Sequence, residues 1–476
     1  MWNTHIPFLD KKAIMKLTFI GAGGVRTPLV IQSILNFQDQ LPLDTVCMMD
    51  IDPERLDLIK LACKPRLLKK TKFNLEWTTD ARKAIKGADF IVTTFREGSI
   101  ASRVIDEQVP LKYGVLGQET TGPGGFAMAL RTIPVIIEYV NLIRELAPNA
   151  WIINFTNPAG IITETITRVA GFERAVGICD NPANMMRGAA QLLKVDYERL
   201  FPDYYGINHL GWMRALYLDG VDMLPKIFGD NPLVDEYLEH IHITRAEIAA
   251  RGALPNEYNY FYYHPRESVD NLVKSGISRA MQIQPFNEEL YSSLARIRDE
   301  EDDPAKIHAI YLHYLDQRHG TYMSLETGRK VEQDNMDAIK ALDVDETMDE
   351  SAEGYSAVAL NVIKALTDAS KLMILNVPNR GAIPGLGEDA VVETTCLVSN
   401  GVVRPFAVGE IPAENLALLR SVKAYEQLTI QAAVEKSYDL ALKALTIHPL
   451  VPSFEIAKSI LDDYLAQHGD YFPKLK

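Results

Sequence analysis

Apolar and polar positions follow two periods along the first two hundred residues. Short apolar runs at 17–20, 45–50, 73–79, 90–95, 151–155 and 175–178 predict strands. Between them lie stretches with helical spacing, including 28–37 and a segment that Pro53 can start. Strands that alternate with helices imply right-handed crossovers and a parallel sheet. Ligands of such sheets sit beyond the carboxyl ends of the strands. Gly21, Asp50, Arg96, Asn157 and Cys179 all follow predicted strands, so they are expected on one rim.

The pattern changes near residue 200. Residues 204–224 alternate like strands around a turn at Asp219-Gly220. Residues 225–375 read as mostly helical, with an acidic, solvated segment over 343–353. Residues 391–408 predict a hairpin around Asn400-Gly401, and 413–445 and 455–468 predict amphipathic helices. No repeat or low-complexity linker separates the halves. The expected organisation is an extension over 1–14, a Rossmann-like dinucleotide domain over 15–203, and a mixed α+β domain over 204–476 for substrate, metal and self-association. The fold class is α/β.

Composition narrows the chemistry. A net charge of −14 argues against a nucleic-acid surface. Charged residues at 24% and hydrophobic residues at 47% suit a globular enzyme. No apolar run is expected to reach membrane-span length, and 1–14 lacks a secretory pattern. The four cysteines, Cys47, Cys63, Cys179 and Cys396, are scattered. This fits a reducing cytoplasm rather than a disulfide framework.

Gly21-Ala22-Gly23-Gly24-Val25-Arg26 follows a strand and opens a helix. Gly21, Gly23 and Gly24 would let the backbone approach a pyrophosphate at the helix N-terminus. Arg26 stands where the dinucleotide fingerprint has its third glycine. Asp50, ending the second strand, would accept from a ribose 2′-hydroxyl, which favours NAD over NADP. Cys179 and His209 together would make a soft two-point metal site, and Asp180 beside them is a candidate acid. Taken singly, such a cysteine or histidine is usually core filler, and Asp180 could be a helix cap.

Several motifs in register resemble those of glycoside hydrolase family 4, the NAD- and metal-dependent glycosidases. They include Phe95-Arg96-Glu97-Gly98, Gly117-Gln118-Glu119-Thr120, Asn154-Phe155-Thr156-Asn157-Pro158, Cys179-Asp180, Gly206-Ile207-Asn208-His209 and Pro378-Asn379-Arg380-Gly381. The resemblance runs from Met15 to the C-terminus. Gly24-Val25 departs from the hydroxyl residues common there, and 325–350 does not align.

The resemblance implies a lactate/malate dehydrogenase-like fold, NAD, and a divalent metal, Mn2+, on Cys179 and His209. It implies a phosphorylated disaccharide or glucoside as substrate, and a homodimer or homotetramer. NAD would take hydride from C3 of the sugar, and the ketone would acidify C2. Tyr258 would remove the C2 proton. Asp180 would protonate the leaving group at C1, water would add, and hydride would return. Arg96 and Arg279 would meet the 6-phosphate, Asn157 sugar or phosphate oxygens, and Glu119 the metal or sugar.

Cys-Asp-x-Pro resembles the 6-phospho-α-glucosidases within the family, whereas Thr446-Ile447-His448-Pro449-Leu450 looks more like the β enzymes. The expected substrate is of the maltose 6′-phosphate type, with cellobiose 6′-phosphate as the alternative. A sugar-phosphate or hydroxy-acid dehydrogenase and a non-catalytic NAD sensor are competing readings.

Overall fold

The computed structural model describes residues 14–68, 70–229, 234–235, 238, 242–300, 303–329 and 357–476. Most of the N-terminal extension, the acidic segment over 343–353 and most of 325–350 lie outside the described residues.

Thirteen strands form one sheet among the described residues. They are β1 (Met15–Ile20), β2 (Leu43–Met49), β3 (Asn74–Thr78), β4 (Phe90–Thr93), β5 (Trp151–Asn154), β6 (Ala175–Gly177), β7 (Leu200–Ile207), β8 (Leu210–Leu218), β9 (Val221–Asp222), β10 (Leu254–Pro255), β11 (Lys371–Pro378), β12 (Val391–Ser399) and β13 (Val402–Pro405). The order is β10-β8-β7-β12-β11-β6-β5-β4-β1-β2-β3, with β13 on β12 and β9 on β8. The β3 to β6 half is parallel, and every pairing from β6 to β10 is antiparallel. The expected α/β class therefore holds. The sheet nevertheless crosses the expected boundary at 203/204 without a break, since β7 spans it.

The inner parallel strands β4, β5 and β6 are buried along their whole length. Val46 and Met48 of β2 join the core on one face, while Cys47 and Met49 join the core on the other. Ile152 and Ile153 of β5 divide in the same way. Helices cover both faces, so most side chains there are apolar, and the buried polar pair Thr93 and Asn154 is joined by a 2.8 Å hydrogen bond.

Three expectations need correction. The Pro123–Leu146 helix is long and apolar enough to cross a membrane. It is mostly buried here, packed against the Ala413–Glu435 and Ser99–Lys112 helices, and its one fully buried charge, Arg131, pairs with Asp106 at 2.6 Å. Enclosure on nearly all sides makes it apolar. The helical reading of 225–375 misses β10 and the start of β11. Residues 413–445 hold two helices, Ala413–Glu435 and Tyr438–Ile447. Lys436 turns left-handed at φ 57°, and the Ser437 side chain accepts from Leu440 N to start the second. Neither glycine nor proline marks that break.

Candidate active site

The carboxyl ends of β1, β2 and β4 open on a cavity of about 620 Å³, within the range of small-molecule sites. Gly21, Gly23, Gly24, Asp50 and Arg96 line it, together with Arg26, Arg103 and Arg318. Gly21 has φ +101°, and a Cβ there would lie 2.5 Å from Phe95 N. Gly23 donates from its backbone N–H to Asp50 Oδ2 at 2.7 Å, and a Cβ on Gly23 would strike that carboxylate. Gly24 has more room, meeting only Gly21 O at 3.3 Å. The Thr27–Phe37 helix begins at Arg26 with no side-chain cap, so no capping side chain occupies the positive end of its dipole. These features fit a dinucleotide.

Two tyrosines hold the loop from behind. Tyr311 Oη donates to Val25 O at 2.8 Å, and Tyr291 Oη donates to Gly23 O at 3.3 Å. Tyr311→Phe removes one of these bonds and is expected to weaken NAD binding roughly 2- to 12-fold (about 0.5–1.5 kcal/mol). Calorimetric titration with NAD checks this, and an unchanged affinity would show that the loop keeps its shape unaided.

A second group of residues lies deeper. Cys179 follows β6, and His209 sits at φ 63° in the tight turn between β7 and β8. Cys179 Sγ and His209 Nε2 are 3.5 Å apart. Metal bonds of about 2.3 Å to sulfur and 2.1 Å to nitrogen place two neighbouring ligands roughly 3–3.6 Å apart. His209 Nδ1 lies 2.7 Å from Thr120 Oγ1, which orients the ring and leaves Nε2 facing the thiol. Burial lowers the imidazole pKa to about 4, so it is neutral and able to ligate. Burial pushes the Cys179 thiol well up, so a thiolate there needs a cation beside it. Among the described residues no third histidine, cysteine or carboxylate completes a cluster. Substrate oxygens could therefore fill open positions. The donor set fits a divalent transition metal.

Tyr258 stacks on His209, with ring centroids 3.8 Å apart and planes 9° apart. Asp180 lies 3.6 Å from Arg26 Nη1, so Arg26 touches both the cavity and the candidate acid. Glu119 pairs with Arg96 and, at 2.6 Å, with Arg103. Burial alone would raise its pKa, but Arg103 and Arg96 hold the carboxyl well below the usual range. Through Thr120, this ion cluster adjoins His209.

Two expected residues stand apart. Asn157 lies beyond β5, half-buried, and joins none of these contacts. Arg279 is buried and spends its donors on protein. Nη1 bonds Gln282 and Thr321, and Nη2 donates to Arg318 O at 2.8 Å. It braces the segment carrying Arg318, one of the arginines that line the cavity. Arg103 and Arg318 were not foreseen from sequence. Arg26 carried a visible signal, since it occupies the third-glycine position.

The model described as family 4 glycosyl hydrolase matches residues 16–195, and the model of that family's C-terminal domain matches 204–451. The chain belongs to glycosyl hydrolase family 4. This glycosidase is 33% identical to a probable 6-phospho-beta-glucosidase of Bacillus subtilis, over 97% of this chain and 98% of that protein. The solved 6-phospho-beta glucosidase of Thermotoga maritima, with manganese, NAD+ and glucose-6-phosphate, superposes with TM-score 0.79 at 29% identity. That match covers 97% of this chain and all of the other. A 6-phospho-alpha-glucosidase from gut microorganisms, in complex with NAD and Mn2+, superposes with TM-score 0.77 at 28% identity, with the same coverage.

Proposed function

We propose that this family 4 glycosidase hydrolyses 6-phosphorylated glucosides and uses NAD and Mn2+. The observation that carries the reading is the Cys179–His209 pair, stacked on Tyr258 and adjoining an arginine-rich dinucleotide cavity. When bound, NAD supplies a reversible hydride acceptor and the metal a Lewis acid. Gly21, Gly23, Gly24 and Asp50 would hold the first, and Cys179 and His209 the second.

The chain's own groups then divide the proton work. Tyr258 Oη takes the proton from C2 of the sugar, and Asp180 protonates the departing oxygen at C1. Arg26 keeps the Asp180 carboxyl directed toward the cavity rim. Arg96, Arg103 and Arg318 present guanidinium groups suited to a phosphate, with Glu119 orienting the first two. Arg279 steadies Arg318, and Asn157, which follows β5, would meet sugar oxygens.

Within this class we read Cys179-Asp180-Asn181-Pro182 as the α type, acting on maltose 6′-phosphate. The β type is the second reading, favoured by the names of the Bacillus subtilis and Thermotoga maritima relatives. Turnover of maltose 6′-phosphate against cellobiose 6′-phosphate, with NAD, Mn2+ and reductant, separates them. At least a tenfold preference for the maltose ester is expected, about 1.4 kcal/mol in barrier. The reverse preference would make it a β enzyme. NADH accumulating in proportion to substrate would make it a dehydrogenase instead.

A further inference from the structure

One buried carboxylate has no place in the chemistry above. Glu393 lies in the middle of β12 and is 1% exposed. It is in register with Asn376 of β11 on one side and Gly206 of β7 on the other, and Asn376 is in register with Gly177 of β6. This row joins the strand that precedes Cys179 to the strand that precedes His209.

Three neutral donors hold the carboxylate. Tyr204 Oη donates to Oε2 at 2.9 Å. Asn376 Nδ2 and Asn208 Nδ2 donate to Oε1 at 2.9 and 3.1 Å. No lysine, arginine or histidine pairs with it among the described residues. Burial without a cation raises its pKa to about 7.

The bonds lead outward to both parts of the site. Asn208 immediately precedes His209 in the tight turn, so the bond from its side chain ties the carboxylate to the backbone that carries that ligand. Tyr204 Oη accepts from Asn256 Nδ2 at 3.2 Å, and Asn256 Oδ1 accepts from Tyr258 N at 3.0 Å. Glycine clears the space for this hub. A Cβ on Gly211 would lie 2.3 Å from Tyr204 Oη, and one on Gly177 would lie 2.9 Å from Asn376 Cβ.

We propose that Glu393 is the positioning carboxylate of the metal site. It fixes the His209 turn through Asn208 and the Tyr258 segment through Tyr204 and Asn256. Its charge would be complemented by the divalent metal that Cys179 and His209 would hold. The inference rests on the reading that Cys179 and His209 hold that metal. Outer carboxylates of this kind typically change metal affinity about 10- to 100-fold.

The test is Mn2+ binding to the full chain, followed by electron paramagnetic resonance of free Mn2+, with NAD affinity measured in parallel. Glu393→Gln is expected to weaken Mn2+ binding about 10- to 100-fold and to leave NAD affinity unchanged. Glu393→Asp, which keeps the charge, is expected to recover part of the loss. Wild-type Mn2+ affinity in folded Glu393→Gln would overturn the proposal. If Glu393→Gln does not fold, Asn208→Ala cuts the link to the His209 turn, and unchanged Mn2+ affinity there is equally fatal. Cys179→Ser keeps the two ideas apart. If it binds Mn2+ like wild type, the metal reading itself fails. If it loses Mn2+ while Glu393→Gln keeps it, only the role of Glu393 fails.

Discussion

Tyr258→Phe is expected to cut turnover of a natural disaccharide phosphate by roughly 10²–10⁴-fold, the usual range for one acid–base group. The substitution removes one oxygen. The ring stack on His209 survives in phenylalanine, so the metal ligand keeps its support. Tyr258 does not line the dinucleotide cavity, and NAD affinity is expected to stay at the wild-type level. Burial pushes the phenol well above its ordinary pKa, with Glu257 adding to the rise. A phenolate there requires a cation, and the adjoining metal site would supply it. Asp180→Ala should show a fall of similar size on poor leaving groups, and a much smaller one on nitrophenyl glucoside 6-phosphates that need no protonation. Steady-state kcat on both substrate types checks the pair. Full activity of either variant on the disaccharide would remove its assigned role.

Gly21→Ala is expected to damage the NAD site far more than Gly24→Ala. At Gly21 the backbone is left-handed, which costs a non-glycine residue about 1–3 kcal/mol. The added methyl would also lie 2.5 Å from Phe95 N, 2.6 Å from Phe95 Cα and 2.7 Å from Thr94 C. These are backbone atoms beside β4, so they cannot swing aside, and overpacking adds about 1–3 kcal/mol. Relief requires the loop to lift off the sheet edge, which moves Gly23 and the first turn of the Thr27–Phe37 helix. At least a hundredfold weaker NAD binding follows from about 3 kcal/mol of that cost falling on the bound loop. Gly24→Ala meets a single oxygen at 3.3 Å and should stay near wild type. NAD titrations and thermal melts of the two variants test this. Equal effects would mean that the loop does not press on the strand as described.

The parallel half of the sheet was legible because its inner strands β4, β5 and β6 are buried along their whole length and alternate with helices. The antiparallel turns at Asp219-Gly220 and Asn400-Gly401 were legible too, but the order of the antiparallel strands was not. β7 meets β12 across nearly two hundred residues, and no local pattern announces so distant a pairing. Cys179 and His209 were readable as donor types, but their 3.5 Å approach depends on those long-range pairings. Arg279 and Arg318 show the limit most sharply. Both lie on helical sequence with nothing local to distinguish them, and the fold aims one at protein carbonyls and the other at the cavity. Glu393 did carry a signal. A carboxylate inside Val391-Val392-Glu393-Thr394-Thr395-Cys396 interrupts a strand buried on both faces, and a charge in such a place needs a reason.

Asp50 accepts from Gly23 N with one oxygen and from Asp52 N with the other, at 2.7 and 3.0 Å. The residue that would discriminate against a 2′-phosphate is thus also a peg on which the glycine loop hangs. Retargeting this enzyme to the phosphorylated cofactor by neutralising Asp50 would release the loop along with the charge. A successful redesign must supply a new acceptor for the Gly23 N–H at the same time. Cofactor choice and loop shape are one inherited trait in this chain, and drift in either should drag the other with it.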